Sequence, residues 1–147
     1  MSESFPNITP LILTFNEEAN IERTLSSLSW ASRIIVVDSF STDSTVTLLS
    51  RFPQVLLLQR KFDTHARQWN AGLNLITDGW VLSLDADYFI SPQLSCEMSD
   101  AVSFSAHQSI SGFRIPFRYC VFGKPLRGTV LPPRLALFKR ECGVYVD

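Results

Sequence analysis

The 147-residue sequence lacks the marks of a membrane-spanning or secreted protein. No run approaches the roughly 20 apolar residues that a membrane-spanning helix needs, and residues 1–7 have neither the charged segment nor the apolar segment of a signal peptide. Cys96, Cys120 and Cys142 are far apart and form no C-x-x-C pair, which favours reduced thiols acting as small hydrophobic side chains. We therefore expect a cytoplasmic protein. Its 11 Phe and 3 Trp residues leave peripheral association with the inner face of the cytoplasmic membrane open.

Several catalytic and phosphate-binding motifs are also missing. The chain has no G-x-x-x-x-G-K loop and no G-x-G-x-x-G, which disfavours P-loop nucleotide hydrolysis and dinucleotide oxidoreduction. It has no G-x-S-x-G elbow, which disfavours an α/β-hydrolase. The net charge of −1 gives no overall attraction to nucleic acid or to an anionic membrane, so an anionic ligand would have to be bound by local groups.

The sequence contains enough apolar residues for a core. It is 46% hydrophobic and 18% charged, which is typical of a globular protein. Its length fits one domain, residues 1–147, and no repeat or low-complexity segment divides it.

Apolar runs and helical patterns alternate along the first 87 residues. Short continuous apolar runs indicate buried strands, and apolar residues at i, i+4 and i+7 indicate helices. The predicted strands are residues 8–15, 34–37, 55–58 and 80–84, and the predicted helices are residues 16–30, 44–51 and 65–76. This alternation with short connections predicts a doubly wound α/β fold with a mostly parallel sheet and right-handed crossovers.

Local signals add detail to this pattern. Pro10 predicts that strand pairing begins at Leu11. Asn16 and Asp43 are predicted N-caps of the first two helices. Gly72, in mid-helix, costs about 1 kcal/mol relative to Ala and so predicts a close packing contact. Beyond residue 87 we predict a helix at 91–102, a loop at 103–111, a strand at 113–122, a loop at 123–133 and a strand at 135–138.

Polar residues follow each of the four predicted strands. Ligands of open α/β sheets bind beyond the carboxyl ends of the strands, so these residues are expected to share one edge. They are Thr14, Asn16 and Glu17 after the first strand, Asp38 after the second, Arg60 and Lys61 after the third, and Asp85 and Asp87 after the fourth.

Asp85 and Asp87 are the leading candidates for chemistry. Alternate residues of a strand share a face, and two carboxylates there repel unless a cation joins them. Mg²⁺ and Mn²⁺ prefer such oxygen ligands and usually share them with substrate phosphates. The alternative is that Asp85 caps the next turn and Asp87 is merely solvated.

Other charged residues are open to two interpretations. Asp38 could accept hydrogen bonds from a ribose hydroxyl or a base N–H, whereas Asp43 is expected to brace the local turn. Arg67 could bind a base carbonyl or a phosphate, or be a solvated helical residue. Arg127 and Arg134 could clamp phosphates or lie on the surface, and the sequence does not decide between these.

Four motifs together resemble the family 2 glycosyltransferases of the GT-A fold. They occur in the family's order, from residue 8 to just past residue 87. They are Thr14-Phe15-Asn16-Glu17-Glu18-Ala19-Asn20-Ile21, Val36-Val37-Asp38 with Ser41-Thr42-Asp43-Ser44-Thr45, Arg67 with Trp69-Asn70-Ala71-Gly72-Leu73, and Leu82-Ser83-Leu84-Asp85-Ala86-Asp87. The residues of these motifs are most similar to the branch of the family that includes lipopolysaccharide-core glucosyltransferases.

The resemblance implies a Rossmann-like three-layer GT-A sandwich that binds a UDP- or GDP-sugar. It implies that residues matching Thr14, Asn16, Glu17, Asp38 and Arg67 hold the nucleoside. Those matching Asp85 and Asp87 would meet the ribose–diphosphate and its Mn²⁺ or Mg²⁺, with Asp87 as the metal ligand. The implied reaction is metal-dependent, inverting transfer to an acceptor hydroxyl, such as that of an envelope glycan or a lipid-linked sugar in polysaccharide or lipopolysaccharide biosynthesis.

Two features of the sequence depart from the family pattern. Phe40 stands where Gly is frequent, and a Phe would be costly if that turn needs a positive φ. Relatives commonly extend past this length and carry the acceptor-side base there, whereas Glu141 and Asp147 are the only late acidic residues here. We therefore expect part of the C-terminal acceptor-side region to be absent. A domain that binds donor without efficient transfer is the alternative function, and a sugar-nucleotidyltransferase is a third.

Overall fold

The computed structural model describes residues 6–128 and 131–147. Its strands are β1 (Ile8–Thr14), β2 (Ile34–Asp38), β3 (Val55–Gln59), β4 (Trp80–Asp85), β5 (Gly112–Ile115), β6 (Cys120–Val121), β7 (Lys124–Pro125) and β8 (Arg134–Lys139). Its helices are α1 (Ile21–Ser26), α2 (Thr45–Leu49), α3 (His65–Leu73) and α4 (Pro92–Ser105), followed by a 3-10 turn at Arg140–Cys142.

Six strands form one sheet in the order β3-β2-β1-β4-β8-β5. The first four are parallel, as the continuous apolar runs predict, while β8 runs antiparallel to β4 and β5 runs antiparallel to β8. β6 and β7 form a separate two-stranded hairpin. The predicted α/β fold with a mostly parallel central sheet is confirmed.

The sheet lies between two layers of helix. On one face Ile12 of β1 packs in a cluster with Leu25 of α1, and α2 and α4 contribute to the same cluster. On the other face Leu11 packs with Trp69 and Leu73 of α3. Because neighbouring residues of a strand point to opposite faces, β1 serves both layers, which explains why its run is continuously apolar.

Gly72 makes the close contact that its position in mid-helix predicts. A Cβ at this residue would overlap the side chain of Leu11 and lie 2.9 Å from Cγ2 of Val37. The absence of a side chain lets α3 lie directly against β1 and β2. Pro10 also acts partly as expected: β1 pairs with β2 from Leu11 onward, but it pairs with β4 from Ile8.

The first helix begins later than predicted. Asn16 is not an N-cap: its φ is 54°, and α1 starts only at Ile21. The backbone N–H of Asn16 donates to Ser41 Oγ at 2.8 Å, and its side-chain oxygen accepts from the N–H of Thr42 at 2.8 Å. These bonds to the neighbouring turn replace helical hydrogen bonds, so residues 16–20 form a loop.

Several other boundaries also differ from prediction. The predicted strand at 113–122 is divided into β5 and β6 because Pro116 follows Ile115 and cannot donate to a ladder. The predicted loop at 123–133 contains β7, and its residues 129–130 fall outside the described part of the chain. Helix α4 extends to Ser105, into the predicted loop, whereas α3 ends at Leu73 rather than at residue 76.

The three cysteines are not the buried small hydrophobes that the sequence suggested. All three are unpaired and exposed. In addition, no helix among residues 6–128 and 131–147 is long and apolar enough to cross a membrane.

Candidate functional site

A cavity of about 360 Å³ opens at the carboxyl ends of β1 and β4. Four of the predicted site residues line it: Thr14, Glu17, Asp85 and Asp87. The remaining lining comes from Leu13, Phe15, Ser39, Phe62, His65, Gln68 and Ala86. These four polar residues therefore lie together at one edge of the sheet, as predicted. The other three predicted site residues, Asn16, Asp38 and Arg67, do not line the cavity.

Asp38 lies beneath this cavity and is fully buried. Its carboxylate accepts hydrogen bonds from Thr14 Oγ1 at 2.9 Å, from the N–H of Ser41 at 2.9 Å and from Ser41 Oγ at 2.5 Å. Gln59 Nε2 also donates to it at 3.3 Å. A buried carboxylate needs such partners. Asp38 thereby fixes Thr14 and the turn that forms one wall of the cavity.

Asp43 braces the same turn, as the sequence suggests. Its carboxylate accepts from the N–H and the Oγ1 of Thr45 at 3.0 and 2.5 Å, and from the N–H of Glu18 at 3.1 Å. Desolvation raises the pKa of Asp43, but these hydrogen bonds outweigh it and the net pKa is lowered. Thr45 Oγ1 in turn accepts from the N–H of Glu17 at 2.8 Å, so the turn holds Glu17 at the cavity.

Phe40 has the strained backbone conformation that would be expected if its turn needs a Gly at this position. Its φ is 60°, in the left-handed region where a bulky side chain is costly. The side chain is 52% exposed beside the cavity-lining Ser39. The fold therefore maintains a conformation that favours Gly while presenting an aromatic ring to solvent at this edge.

Arg67 lies outside the cavity lining. Its side chain is 66% exposed and pairs with Asp63 at 3.3 Å. Asp63 accepts a stronger bidentate pair from Arg60, at 2.7 and 3.0 Å, and the Arg60 guanidinium is the main cause that lowers the pKa of Asp63 far below its usual range. Contact between Arg67 and a nucleoside stays a prediction. It would require the Arg67 side chain to leave Asp63.

Sequence reasoning missed several residues of the cavity wall. Gln68 is fully buried and donates to Ser39 Oγ at 3.0 Å while accepting from Arg60 at 2.7 Å. Phe62 and His65 meet edge to face, with ring centroids 5.0 Å apart. Their position in the sequence could have indicated this role, because they lie around the start of α3, just after the carboxyl end of β3.

Arg134 reaches the acidic end of the cavity from β8. Its Nη1 lies 3.3 Å from Asp85 Oδ2 and 3.4 Å from the hydroxyl of Tyr88. The register explains this, because Leu82 pairs with Leu137 and the same antiparallel alignment brings Arg134 opposite Asp85. Arg134 therefore lies beside Asp85 at the cavity, and its contact with a phosphate stays a prediction.

The electrostatics of this group are consistent with an ion pair that is half accessible to solvent. Desolvation is the largest single influence and lowers the pKa of Arg134, but the charge of Asp85 together with the contributions of Tyr88 and Tyr145 outweighs it, so the net pKa is raised. Burial raises the pKa of Tyr88 to about 12, with a further contribution from its hydrogen bond to Asp85. Arg134 is therefore charged and Tyr88 is a neutral phenol across the physiological range.

The carboxylates of Asp85 and Asp87 are suited to share a divalent cation with a ligand. Both line the cavity, and Asp85 is about half exposed. No group of three or more His, Cys, Asp or Glu side chains within the described residues converges to hold a metal ion. Hard cations are commonly bound by one or two carboxylates together with substrate phosphates and water, and these two residues fit that arrangement.

A second cavity, of about 270 Å³, lies at the opposite edge of the sheet. Gly79, Trp80, Lys139 and Glu141 contribute to its lining. Because β4 runs from Trp80 to Asp85, this places Glu141 at the far end of the strand from the two carboxylates.

The fold is that of the GT-A glycosyltransferases. The structure of S. aureus TarS 1-349 in complex with UDP superposes with a TM-score of 0.70 at 19% identity, covering 90% of this chain and 46% of that one. The chain belongs to glycosyl transferase family 2, whose sequence pattern matches residues 11–142.

Two curated relatives of the chain are glycosyltransferases from bacteria. An uncharacterized glycosyltransferase of Rickettsia bellii (strain RML369-C) is 33% identical over 92 residues, covering 62% of this chain and 31% of the relative. The lipopolysaccharide core biosynthesis glycosyltransferase LpsC of Rhizobium meliloti (strain 1021) is 25% identical over 120 residues, covering 79% of this chain and 44% of the relative. The chain thus spans about a third of the length of the first relative and less than half of the second.

Proposed function

We propose that this domain binds a nucleotide-diphosphate sugar and transfers the sugar to an acceptor hydroxyl. The observation that carries the proposal is the cavity at the carboxyl ends of β1 and β4, which joins Thr14 and Glu17 to Asp85 and Asp87. Two carboxylates with an adjacent guanidinium at one end, and hydroxyl and aromatic groups at the other, suit a ligand that has a charged diphosphate and a nucleoside.

The nucleoside end is assigned to the residues around β1 and α3. Thr14, Asn16, Glu17, Asp38 and Arg67 are proposed to hold the ribose and base of a UDP- or GDP-sugar. The family membership supports this assignment, and the similarity to a TarS structure solved with UDP favours UDP. In the geometry described above, Thr14 and Glu17 would contact the ligand first. Asp38 would act through Thr14 unless its hydrogen bonds rearrange.

Asp85 and Asp87 are assigned to the diphosphate end. Asp87 is proposed as the ligand of Mn²⁺ or Mg²⁺, and Asp85 is proposed to face the ribose–diphosphate. When bound, such a cation would offset the negative charge that builds on the leaving diphosphate. Arg134 can supply a further positive charge to the oxygens of the diphosphate, because its Nη1 is already 3.3 Å from Asp85 Oδ2.

Transfer also requires a group that accepts a proton. In an inverting reaction the acceptor oxygen bonds to the anomeric carbon while the bond from that carbon to the diphosphate oxygen breaks, and a base takes the hydroxyl proton. Glu141 is unsuited to that role, because it lies at the opposite edge of the sheet from Asp87. We therefore do not assign Glu141 as the base.

The position of Glu141 favours a second candidate function. In this alternative the domain binds the donor without efficient transfer, because Glu141 lies away from the cavity that holds Asp85 and Asp87. The acceptor itself is proposed as a cell-envelope glycan or a lipid-linked sugar, in line with the name of the relative LpsC. A cytoplasmic location with peripheral attachment to the membrane fits such an acceptor.

A thermal-shift panel tests donor binding. We expect a UDP- or GDP-sugar with Mn²⁺ to raise the melting temperature of the chain, and Asp87→Asn to abolish the metal-dependent part of the shift. Asp100→Asn, at an exposed position on α4, is the matched control and should shift like the wild type. Absence of a shift with every nucleotide sugar would reject the proposal.

Activity assays separate the alternatives. Release of nucleoside diphosphate in the presence of an acceptor supports transfer. A donor-induced shift without hydrolysis or transfer supports the binding-only domain. Release of pyrophosphate from a nucleoside triphosphate would instead indicate a sugar-nucleotidyltransferase.

A further inference from the structure

A basic and aromatic arm, residues 117–128, projects from the sheet between β5 and β8. Every residue from 118 to 128 is exposed, including four large apolar side chains. These are Tyr119, Val121, Phe122 and Leu126. Apolar side chains that are 44–100% exposed lower the solubility of the domain and add little to the stability of its fold, so their clustering in one short segment points to a partner.

Phe122 at the tip of the arm is the most unusual of these residues. It is 100% exposed. It forms with Gly123 the two-residue turn between β6 and β7, and the φ values of Phe122 and Gly123 are 49° and 75°. Such a turn favours Asn or Gly at its first position, whereas a bulky residue in the left-handed region is costly. Neither packing nor turn chemistry therefore explains a Phe at this position.

The charge of the arm distinguishes it from the rest of the chain. Arg118, Lys124 and Arg127 lie within it, Arg114 precedes it, and no Asp or Glu occurs between residues 101 and 140. Since the whole chain has a net charge of −1, the positive charge is concentrated at this end of the protein. An aromatic tip flanked by Lys and Arg is the composition that binds the interface of an anionic membrane.

The arm is also placed at the edge of the sheet that bears the cavity. It leaves β5 after Ile115 and returns at Arg134, and these two residues pair in the sheet. At its base Phe117 lies 5.0 Å from Tyr88, measured between ring centroids, while the Tyr88 hydroxyl contacts Arg134. A surface that binds the arm would therefore face the same edge as Asp85 and Asp87.

We propose that the arm docks on an anionic phospholipid surface, with Phe122 inserted among the acyl chains and Arg118, Lys124 and Arg127 among the headgroups. A soluble polyanion would satisfy the three charges but would leave the fully exposed ring of Phe122 in water. The lipid surface satisfies both features. The proposal rests on the peripheral membrane association included in the proposed function, and it names the segment and the lipid charge responsible.

Vesicle co-sedimentation of the 147-residue chain tests the proposal. We expect binding to vesicles of equal parts phosphatidylcholine and phosphatidylglycerol, weakening as salt screens the charges, and little binding to phosphatidylcholine alone. Phe122→Ser should reduce the partition coefficient roughly tenfold through the lost apolar burial, and Lys124→Ala about fivefold. Phe104→Ser is the matched control, because Phe104 is 64% exposed on α4, away from the arm.

Several outcomes would overturn the proposal. They are equal binding to both kinds of vesicle, undiminished binding of Phe122→Ser, and an equal loss in Phe104→Ser. Retention on heparin that is unaffected by Phe122→Ser, without vesicle binding, would identify a polyanion site instead. A Phe122→Trp variant gives an independent measurement: after subtraction of the wild-type signal, its emission should shift to shorter wavelength with anionic vesicles only, and an unshifted emission would contradict insertion.

Donor binding is measured separately on the same variants. If nucleotide sugars shift the melting temperature while no vesicle is bound, the role of the arm is wrong and the proposed function stands. If vesicles are bound while no nucleotide sugar has an effect, the proposed function fails and the membrane-docking arm stands.

Discussion

Arg134 Nη1 lies 3.3 Å from Asp85 Oδ2, although 49 residues separate the two along the chain. The pair is about half exposed, so its own contribution to stability is small. Its significance is positional: one positive charge is held where a diphosphate would meet the carboxylates. Arg134 thereby shares the acidic end of the cavity with Asp85 and Asp87.

We predict that Arg134→Gln weakens UDP binding about tenfold, the loss expected for one charge-assisted hydrogen bond to a phosphate. Uridine, which lacks the diphosphate, should bind the variant and the wild type equally. Arg134→Lys should recover part of the affinity. Isothermal titration of both ligands, or of GDP and guanosine if those bind, measures the effect.

The control for this prediction is Arg51→Gln, which removes an exposed ion pair with Glu22, and neither residue lines the cavity. It should leave both affinities unchanged. A loss of uridine affinity in Arg134→Gln equal to the loss of UDP affinity would show that the arginine supports the fold of the site instead of contacting the diphosphate.

Gly72→Ala should destabilise the domain. The new methyl group would overlap Leu11 and press on Val37 at the contact between α3 and the sheet, so we expect a loss of about 1–3 kcal/mol in the free energy of unfolding. The measurement is urea denaturation followed by circular dichroism. Gly128→Ala is the control, since a Cβ there meets nothing within 4 Å, and it should change stability by less than about 0.5 kcal/mol. Equal stability of the two variants would disprove the close contact.

The ion pairs of Asp63 predict a specific acid sensitivity. Arg60, the N–H of Thr64 and Arg67 lower the pKa of Asp63 in the folded state below its ordinary value of 3.8. A lowered folded-state pKa stabilises the fold above the unfolded value, and that stabilisation is lost as pH falls through the folded one. We expect the melting temperature of the wild type to fall more steeply than that of Asp63→Asn below about pH 4.

Asp100→Asn serves as the reference in this pH series, because Asp100 lies exposed on α4. Its melting temperature should follow the wild-type curve. Parallel curves for Asp63→Asn and the wild type would mean that the pairing of Asp63 with Arg60 and Arg67 does not hold in solution.

The sequence was sufficient for features that depend on neighbouring residues. The alternation of strands and helices up to β4, and the emergence of Asp85 and Asp87 at the end of that strand, follow from local apolar runs, and the structure has both. The loop before α1 was mispredicted because Asn16 bonds to Ser41, 25 residues away. Arg134 could not be placed either, since its position depends on the antiparallel register of β8 on β4. Long-range hydrogen bonding thus limited the prediction in both cases.

The pairing of β8 with β4 also sets which parts of this region can change in length during evolution. Residues inserted or deleted between Ile115 and Arg134 would only lengthen or shorten an exposed excursion, because the two ends are already joined in the sheet. A single residue gained or lost between Arg134 and Leu137 would turn the guanidinium to the opposite face, since side chains alternate along a strand. Related proteins should therefore differ in the length of the excursion while keeping a fixed spacing from the arginine to the buried leucine.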